Sequence, residues 1–245
     1  MKNLHIEKIF VNDTNLNHNM QLSITELIRF LQVATFNHSN KILLDHDTMQ
    51  KESNAFWVIT KLKVKLKKQV SSGNYLKVAT WTQPLTTIRA NRSFKVKQNN
   101  TVVETGIAEW CCLDFSTRKV RKLSSIKYPD LEMVENSEPK LCFENLNKQF
   151  CEENFVYSRT ISLTDIDINK HTNNLKYNLI ALDALTLEEF DQMLIDEYEI
   201  HFINETKLYD KIDVFKIKEK NMYYIEGRNS NNTVFRVGIK FKKMK

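Results

Sequence analysis

The first strong pattern along the chain is helical. Across residues 23–38, apolar side chains recur every three or four positions, at Leu27, Phe30, Leu31 and Ala34. Ser23 and Glu26 have the spacing of a capping box at the start of this segment. The pattern predicts an amphipathic helix that buries one face.

Long alternating segments follow this helix. Apolar and polar residues alternate in FWVITKLKVKLKKQV, YLKVATWTQ, TTIRANRSFKVKQ and TVVETGIAEWCCLDF. Such alternation is typical of antiparallel strands with one buried face. A helix followed by several such strands predicts an α+β unit, in which a sheet wraps around the helix.

The same order of elements returns in the second half. After a polar stretch, residues 154–163 have a strand pattern, residues 174–190 a helical pattern in two pieces, and four strand-like segments follow. We therefore predict an N-terminal repeat at residues 1–130, a connector at 131–148 and a C-terminal repeat at 149–245.

Similar residues precede the two helices. DTNLNHN at residues 13–19 aligns with DIDINKH at 165–171 with an offset of 152 positions, which places Asn15 opposite Asp167 and Asn19 opposite His171. An amide cannot act as a base or nucleophile. The first repeat is therefore expected to lack the chemistry of the second.

Composition and charge bound the class of protein. With 42% hydrophobic residues and no apolar run long enough to span a bilayer, the chain is expected to be soluble. Its opening lacks the pattern of a signal or transit peptide, and its four cysteines show no zinc-site spacing, so reduced thiols in the cytoplasm are expected.

The formal charge of +6 favours an acidic partner. Candidate basic patches lie at residues 61–68, at 118–122 and at the C-terminal KFKKMK, although a general excess of lysine also explains the charge. No nucleic-acid-binding motif accompanies these lysines.

The densest group of reactive residues is DIDINKHTNNLKY at 165–177. If the segment begins extended, Asp165, Asp167 and Asn169 share one face, and the next turn brings His171 near them at a helix N-terminus. Free amide donors there suit a developing oxyanion. The residues alone favour the other interpretation, a polar turn in which Asn173 or Asn174 caps the helix.

This segment resembles the D-x-D-x-N-x-H-x-N-N-x-x-Y signature of the acyl-acyl carrier protein thioesterase family. The first half is also similar to the family, in WVITK at 57–61, RANRSF at 89–94 and AEWCCLD at 108–114. The resemblance implies an α+β tandem (double) hotdog fold, with two helices each wrapped by an antiparallel β-sheet.

The resemblance implies four catalytic residues. Asp167, Asn169 and His171 match the signature, and Glu205 matches the glutamate of a Y-x-x-E-x-x-x-G-D-x-I pattern within FINETKLYDKI. Tyr209 stands where that pattern has glycine. Plant relatives often carry cysteine after the glutamate, but this chain has Thr206, so no cysteine nucleophile is expected there.

The implied function is hydrolysis of fatty acyl-acyl carrier protein, without a cofactor or metal. Either Glu205 or Asp167 would activate water, or Asp167 would attack the thioester directly. Acyl carrier protein is acidic and would be the partner, and two repeats would form an internal pseudo-dimer, with a further homodimer left open. The alternatives are an acyl-coenzyme A thioesterase and a non-catalytic hotdog that binds acyl thioesters.

Overall fold

The computed structural model describes residues 1–134 and 141–243. They belong to two compact units, Met1–Cys142 and Phe143–Lys245. Part of the expected connector, residues 135–140, lies outside the described residues. Residues 143–148 belong to the second unit, where the backbone N–H of Glu144 donates to the Glu199 carboxylate at 2.9 Å.

The first unit is an antiparallel sheet with two helices. Its elements are β1 (His5–Val11), α1 (Ile24–Lys41), α2 (His46–Ser53), β2 (Ala55–Leu66), β3 (Asn74–Thr82), β4 (Arg89–Gln98) and β5 (Thr101–Asp114). The strands lie in the order β1-β3-β4-β5-β2, and α1 packs on β1 and β3.

The second unit repeats this plan. Its elements are β6 (Phe155–Thr160), α3 (Asn174–Leu182), α4 (Leu187–Asp191), β7 (Met193–Phe202), β8 (Lys211–Glu219), β9 (Met222–Asn229) and β10 (Asn232–Lys243). The strand order β6-β8-β9-β10-β7 corresponds strand for strand to that of the first unit. The predicted α+β tandem hotdog fold is confirmed.

Each of the two helices α1 and α3 is stabilised because its apolar face is buried within its own unit. In α1, Leu27, Ile28 and Leu31 are almost fully buried, as are Val78 and Val96 on the sheet of the same unit. In α3, Ile180 and Ala181 are fully buried. Burial of each leucine, isoleucine or valine side chain contributes about 1.5–3 kcal/mol.

The start of α1 differs from the expectation in one detail. Ser23 is the N-cap residue, but its hydroxyl lies 2.7 Å from that of Thr25 and makes no capping hydrogen bond to the backbone. Glu26 instead accepts from the Asn15 amide at 2.7 Å and pairs with Arg29 at 2.5 Å. The predicted capping box is therefore wrong, because neighbouring side chains compete for both of its members.

Candidate active site

The segment before α3 is a tight turn closed by Asp167 and His171. The N–H of Asp167 donates to the carbonyl of His171 at 2.9 Å, and the N–H of Lys170 donates to the carbonyl of Asp167 at 3.0 Å. Lys170 has a positive φ of 62°, which reverses the chain. The turn brings His171 back beside Asp167.

The Asp167 carboxylate holds this turn together. Its Oδ1 accepts the backbone N–H of Asn169 at 2.8 Å and that of His171 at 3.4 Å. Asn169 is an exposed residue within the turn. The three signature residues are therefore close along one short turn, with Asp167 as its hydrogen-bond acceptor.

Asp165 does not join this group. It ends the short 3-10 helix Leu163–Asp165, is fully buried, and its carboxylate lies 2.8 Å from the Arg159 guanidinium and accepts from the N–H and hydroxyl of Ser162. Burial opposes its ionisation, but the Ser162 bonds and the charges of Arg159 and Lys176 outweigh burial and lower the pKa of Asp165. Contrary to the prediction, Asp165 therefore does not share an extended face with Asp167 and Asn169. Its role is structural, because its hydrogen bonds fix the short 3-10 helix before the turn.

Glu205 comes from the loop between β7 and β8 and lies beside the turn. Its Oε2 is 3.4 Å from Nε2 of His171, with 46% of the Glu205 side chain exposed and 19% of the His171 side chain exposed. Two residues separated by 34 positions in the sequence thus form an imidazole and carboxylate pair that solvent can reach. Such a pair can take a proton from water and return it to a leaving group.

Thr206 joins the loop that carries Glu205 to the segment that carries His171. Its carbonyl accepts the N–H of Thr172 at 2.9 Å, and its hydroxyl lies 2.7 Å from the Thr172 hydroxyl. The Tyr177 hydroxyl accepts the N–H of Thr206 at 3.0 Å and lies 3.0 Å from Oγ1 of Thr206. All three side chains are buried, so this network holds Glu205 next to His171.

The sequence did not identify Thr206 as a positioning residue. In the sequence it stands out only as the residue at a position where plant relatives often carry cysteine, and the signals for its positioning role are its neighbour Glu205 and the signature residue Tyr177. Asn173 follows the capping interpretation instead: it is the N-cap of α3, and its side chain accepts the N–H of Leu175 at 2.9 Å. The segment therefore contains both a helix cap and the turn that carries Asp167, Asn169 and His171.

The first unit contains the same turn with different residues. The N–H of Asn17 donates to the carbonyl of Gln21 at 2.7 Å, and the Asn17 side-chain oxygen accepts the N–H groups of Asn19 and Gln21 at 3.0 Å each. Met20 has a φ of 56° where Lys170 has 62°. Hydrogen bond for hydrogen bond, Asn17 is the equivalent of Asp167.

The structural offset between the turns is therefore 150 positions, the separation of the N-cap residues Ser23 and Asn173. The predicted offset of 152 is wrong, and so is the pairing of Asn15 with Asp167 and of Asn19 with His171. The equivalent pairs, first unit before second, are Asn15 and Asp165, Asn17 and Asp167, Asn19 and Asn169, and Gln21 and His171.

Glu205 also has an amide as its equivalent. The N–H groups of Ile203 and Asn204 both donate to the carbonyl of Val234, as those of Lys67 and Lys68 donate to the carbonyl of Val103. The next residue is Glu205 in one unit and Gln69 in the other. Thus each of the four residues Asp165, Asp167, His171 and Glu205 has an amide side chain at the equivalent position of the first unit.

Two other titratable residues, His38 and Cys112, are buried and are suited to a structural role rather than to catalysis. His38 is buried, stacked on His5 and 2.7 Å from the Arg92 guanidinium, and burial together with the Arg92 charge lowers the pKa of His38 to about 3. Burial raises the pKa of the Cys112 thiol to about 11, which makes it a poor nucleophile. In residues 1–134 and 141–243, no three His, Cys, Asp or Glu side chains are grouped to hold a metal ion.

Comparison with known proteins gives a consistent result. The family model described as the acyl-ACP thioesterase N-terminal domain matches residues 3–126, and that of the acyl-ACP thioesterase C-terminal domain matches residues 148–243. An oleoyl-acyl carrier protein thioesterase of Arabidopsis thaliana chloroplasts is 24% identical over 80% of this chain. The chain spans 58% of that relative's length.

Solved structures share the fold over nearly the whole chain. An acyl-ACP thioesterase from Bacteroides thetaiotaomicron superimposes with a TM-score of 0.84 at 20% identity, covering 98% of each chain. A 12:0-ACP thioesterase from Umbellularia californica superimposes with a TM-score of 0.81 at 15% identity, again covering 98% of each chain. With both domain models matched, this chain belongs to the acyl-ACP thioesterase family.

Proposed function

We propose that the protein hydrolyses the thioester of fatty acyl-acyl carrier protein and releases free fatty acid, ending or diverting fatty acid synthesis. The observation that carries the proposal is the 3.4 Å approach of Glu205 to His171 beside the Asp167 turn. Family membership supplies the substrate class, since the curated relatives are named for acyl carrier protein substrates.

The geometry favours water activation by Glu205. Water adds to the thioester carbonyl carbon while its proton passes to the Glu205 and His171 pair. The tetrahedral intermediate then collapses, the carbon–sulfur bond breaks, and the same pair returns the proton to the leaving thiolate. The products are a carboxylic acid and a thiol.

Asp167 has a different role in this scheme. Its Oδ1 accepts two backbone N–H groups, which lowers its nucleophilicity. We assign it two other tasks: it shapes the turn that carries His171, and its negative charge would stabilise the imidazolium that forms when His171 holds the proton. Asn169 would orient the substrate from the exposed part of the turn. Direct attack by Asp167 would require these two hydrogen bonds to weaken, so it is the less favoured route.

We further propose the division of roles along the chain. Residues 1–130 would be a hotdog repeat without the chemistry, 131–148 a connector, and 149–245 the repeat that carries the site. The amides at Asn17, Gln21 and Gln69 support the loss of chemistry in the first repeat.

The remaining proposals concern setting and assembly. The four cysteines are free, which supports a reducing compartment such as the cytoplasm. Within the described parts of the chain, no helix is long and apolar enough to cross a membrane. The two repeats of one chain would act as an internal pseudo-dimer, and the proposed chemistry requires no cofactor.

The test is steady-state hydrolysis of matched acyl carrier protein and coenzyme A thioesters of varied chain length. A higher kcat/KM for the carrier protein thioesters supports the proposal, whereas a preference for coenzyme A supports the alternative acyl-coenzyme A thioesterase. The His171→Gln variant, which copies Gln21, should lower kcat about 100-fold or more. Tight acyl-thioester binding without turnover by the wild type would indicate a non-catalytic binding protein.

A further inference from the structure

The outer face of the first unit's sheet carries a row of lysines that the sequence does not reveal. Lys8 of β1 lies directly opposite Lys77 of β3, and Lys77 lies directly opposite Lys97 of β4. Lys8 and Lys77 are exposed and Lys97 is partly exposed. We call these three residues the lysine ladder.

No carboxylate shares this face within the three strands. β3 and β4 contain no acidic residue at all. The acidic residue of β1, Glu7, points to the opposite face, where its carboxylate accepts from the Asn37 side chain of α1 at 2.6 Å. Lys95, also of β4, lies on the same face as Lys97 and adds a further positive charge.

The second unit shows that the fold does not require this arrangement. The equivalents of Lys8, Lys77 and Lys97 are Ser158, Asp213 and Arg228, which are paired in the same way across β6, β8 and β9. There the central residue is acidic: Asp213 accepts from the Ser158 hydroxyl and pairs with Lys211 at 3.2 Å. At these three positions the second unit is balanced in charge, whereas the first unit is uniformly basic.

Like charges directly opposite on neighbouring strands destabilise a sheet. Lysine on an edge strand can prevent pairing with another chain, which would account for Lys8 on β1. It does not account for Lys77 and Lys97, because β3 and β4 lie inside the sheet. The ladder therefore carries an unfavourable repulsion that an acidic partner would relieve.

Exposed apolar side chains adjoin the ladder. Phe10 and Tyr75 are 47% and 50% exposed and pack edge to face at 5.2 Å, and Ile6 is 55% exposed. The Lys8 ammonium lies 4.1 Å from the centre of the Tyr75 ring. Aromatic side chains are enriched in protein interfaces, whose rim is polar.

The spacing of the ladder fits a helix with a row of acidic residues. Neighbouring strands are about 4.8 Å apart. Carboxylates one helical turn apart are separated by about 5–6 Å. A helix laid across the strands could therefore place successive carboxylates over Lys8, Lys77 and Lys97, with an apolar residue on Phe10 and Tyr75.

We propose that the lysine ladder and its flanking aromatics are the docking surface for acyl carrier protein. The identity of the partner rests on the proposed function, which makes this acidic protein the bearer of the substrate. The ladder supplies the charge complementarity, and Phe10, Tyr75 and Ile6 supply the apolar contact.

The decisive variant is Lys77→Asp, which gives the first unit the charge pattern of Asp213 in the second. Its matched control is Lys220→Asp, the same charge change in the exposed turn between β8 and β9. We would measure binding of holo-acyl carrier protein without an acyl chain, at low and high salt. We would also measure kcat and KM for acyl-acyl carrier protein and for a small neutral acyl thioester.

Lys77→Asp should weaken carrier protein binding and raise KM for acyl-acyl carrier protein about five- to tenfold, with kcat within about twofold. Turnover of the neutral thioester should be unchanged, and the salt dependence of carrier protein binding should become shallower. Lys220→Asp should behave as the wild type. The Tm of Lys77→Asp should not fall, since the substitution removes repulsion.

Wild-type carrier protein affinity in Lys77→Asp would overturn the proposal. If Lys77→Asp keeps that affinity but loses binding to anionic phosphatidylglycerol vesicles, the face serves a membrane instead. If the wild type hydrolyses no thioester, the proposed function fails, yet the binding measurement still decides whether the ladder docks the carrier protein.

Discussion

Asp167 and Asn17 occupy the same place in the same turn, one in each unit. The Asp167 carboxylate accepts two backbone N–H groups at 2.8 and 3.4 Å, and the Asn17 amide oxygen accepts the equivalent two at 3.0 Å. An amide oxygen is thus sufficient to fold the turn. What Asn17 lacks is the negative charge, so the two units separate the structural role of this position from its chemical role.

Replacing Asp167 by Asn tests that separation. The variant should keep both hydrogen bonds and its Tm, while kcat falls about 100-fold or more because the charge beside His171 is lost. The control is Asn17→Asp, which should leave activity within about threefold. Full activity of folded Asp167→Asn would contradict the placement of the site in the second unit.

Glu205→Gln distinguishes the two candidate bases. Gln69 shows that the amide is compatible with this loop in the first unit. If Glu205 activates water, the variant should lose at least about two orders of magnitude in kcat with little change in KM. Retained activity would transfer that role to Asp167. The matched control is Gln69→Glu, for which we expect wild-type turnover.

Tyr177→Phe tests whether the buried hydroxyl network positions Glu205. The variant leaves the N–H of Thr206 without its acceptor, which should cost about 1–3 kcal/mol in the free energy of unfolding. We also expect kcat to fall about tenfold while KM stays nearly constant, since catalysis depends on the placement of Glu205. The measurements are chemical denaturation and steady-state kinetics.

The control for Tyr177 is Tyr198→Phe. Tyr198 is buried like Tyr177, but its hydroxyl donates to the Asn178 side chain at 2.8 Å, a hydrogen bond that does not involve Thr206. It should lose comparable stability and keep kcat. Equal losses of kcat in both variants would show a general loosening of the unit rather than positioning of Glu205.

Tyr209→Gly should stabilise the protein by up to about 1 kcal/mol. Tyr209 has a φ of 72°, a strained value for a residue with a Cβ, and its equivalent in the first unit is Gly73 with a φ of 74°. Glycine removes the strain but is more flexible in the unfolded chain, which offsets part of the gain. Thermal denaturation would measure the change, and Tyr209→Ala should give no comparable gain because alanine keeps the Cβ.

Glu104 should make the stability of the protein depend on pH. It is 2% exposed, neither carboxyl oxygen has a hydrogen-bond partner in the described residues, and burial raises its pKa to about 8. Since the folded pKa is above the unfolded value, the folded protein holds a proton that the unfolded chain releases. This contribution to stability is full below about pH 4.5 and is lost as the pH rises to about 8.

Glu104→Gln removes this titration. Its advantage over the wild type in the free energy of unfolding should grow by roughly 1.4 kcal/mol per pH unit between about pH 5 and pH 8, and then level off. Denaturation curves at several pH values would show it. Parallel stability profiles for the two proteins would mean that Glu104 ionises in the folded state without penalty.

Much of the fold could be predicted from the sequence because its signals are local. The spacing of Leu27, Leu31 and Ala34 specifies one buried helix face. It predicts a helix at 23–38, and α1 lies at Ile24–Lys41. The interruption of the second helical segment also appears as the separate helices α3 and α4. The polar segment at 165–177 and its family resemblance located the candidate site without knowledge of any contact.

The equivalence of the two turns was not decided by the sequence. Asp and Asn recur so often in both segments that Asn15 and Asn17 each offer a plausible match for Asp167. Hydrogen bonds remove the ambiguity: only Asn17 accepts the N–H groups that correspond to those of Asn169 and His171. Residue identity is a weak guide here because side chains of similar shape serve both as anchors and as reactive groups.

Contacts between distant segments depended on the tertiary structure. His171 and Glu205 are neighbours because the buried contacts of Thr206 with Thr172 and Tyr177 join two loops, and no local pattern encodes that distance. Lys8, Lys77 and Lys97 look unremarkable in the sequence and become a row only through the register of three strands. The sequence by itself determined the elements, their order and the residues able to react. Only the folded chain decided which of them meet, because strand register and loop packing minimise free energy over the whole unit rather than over any one segment.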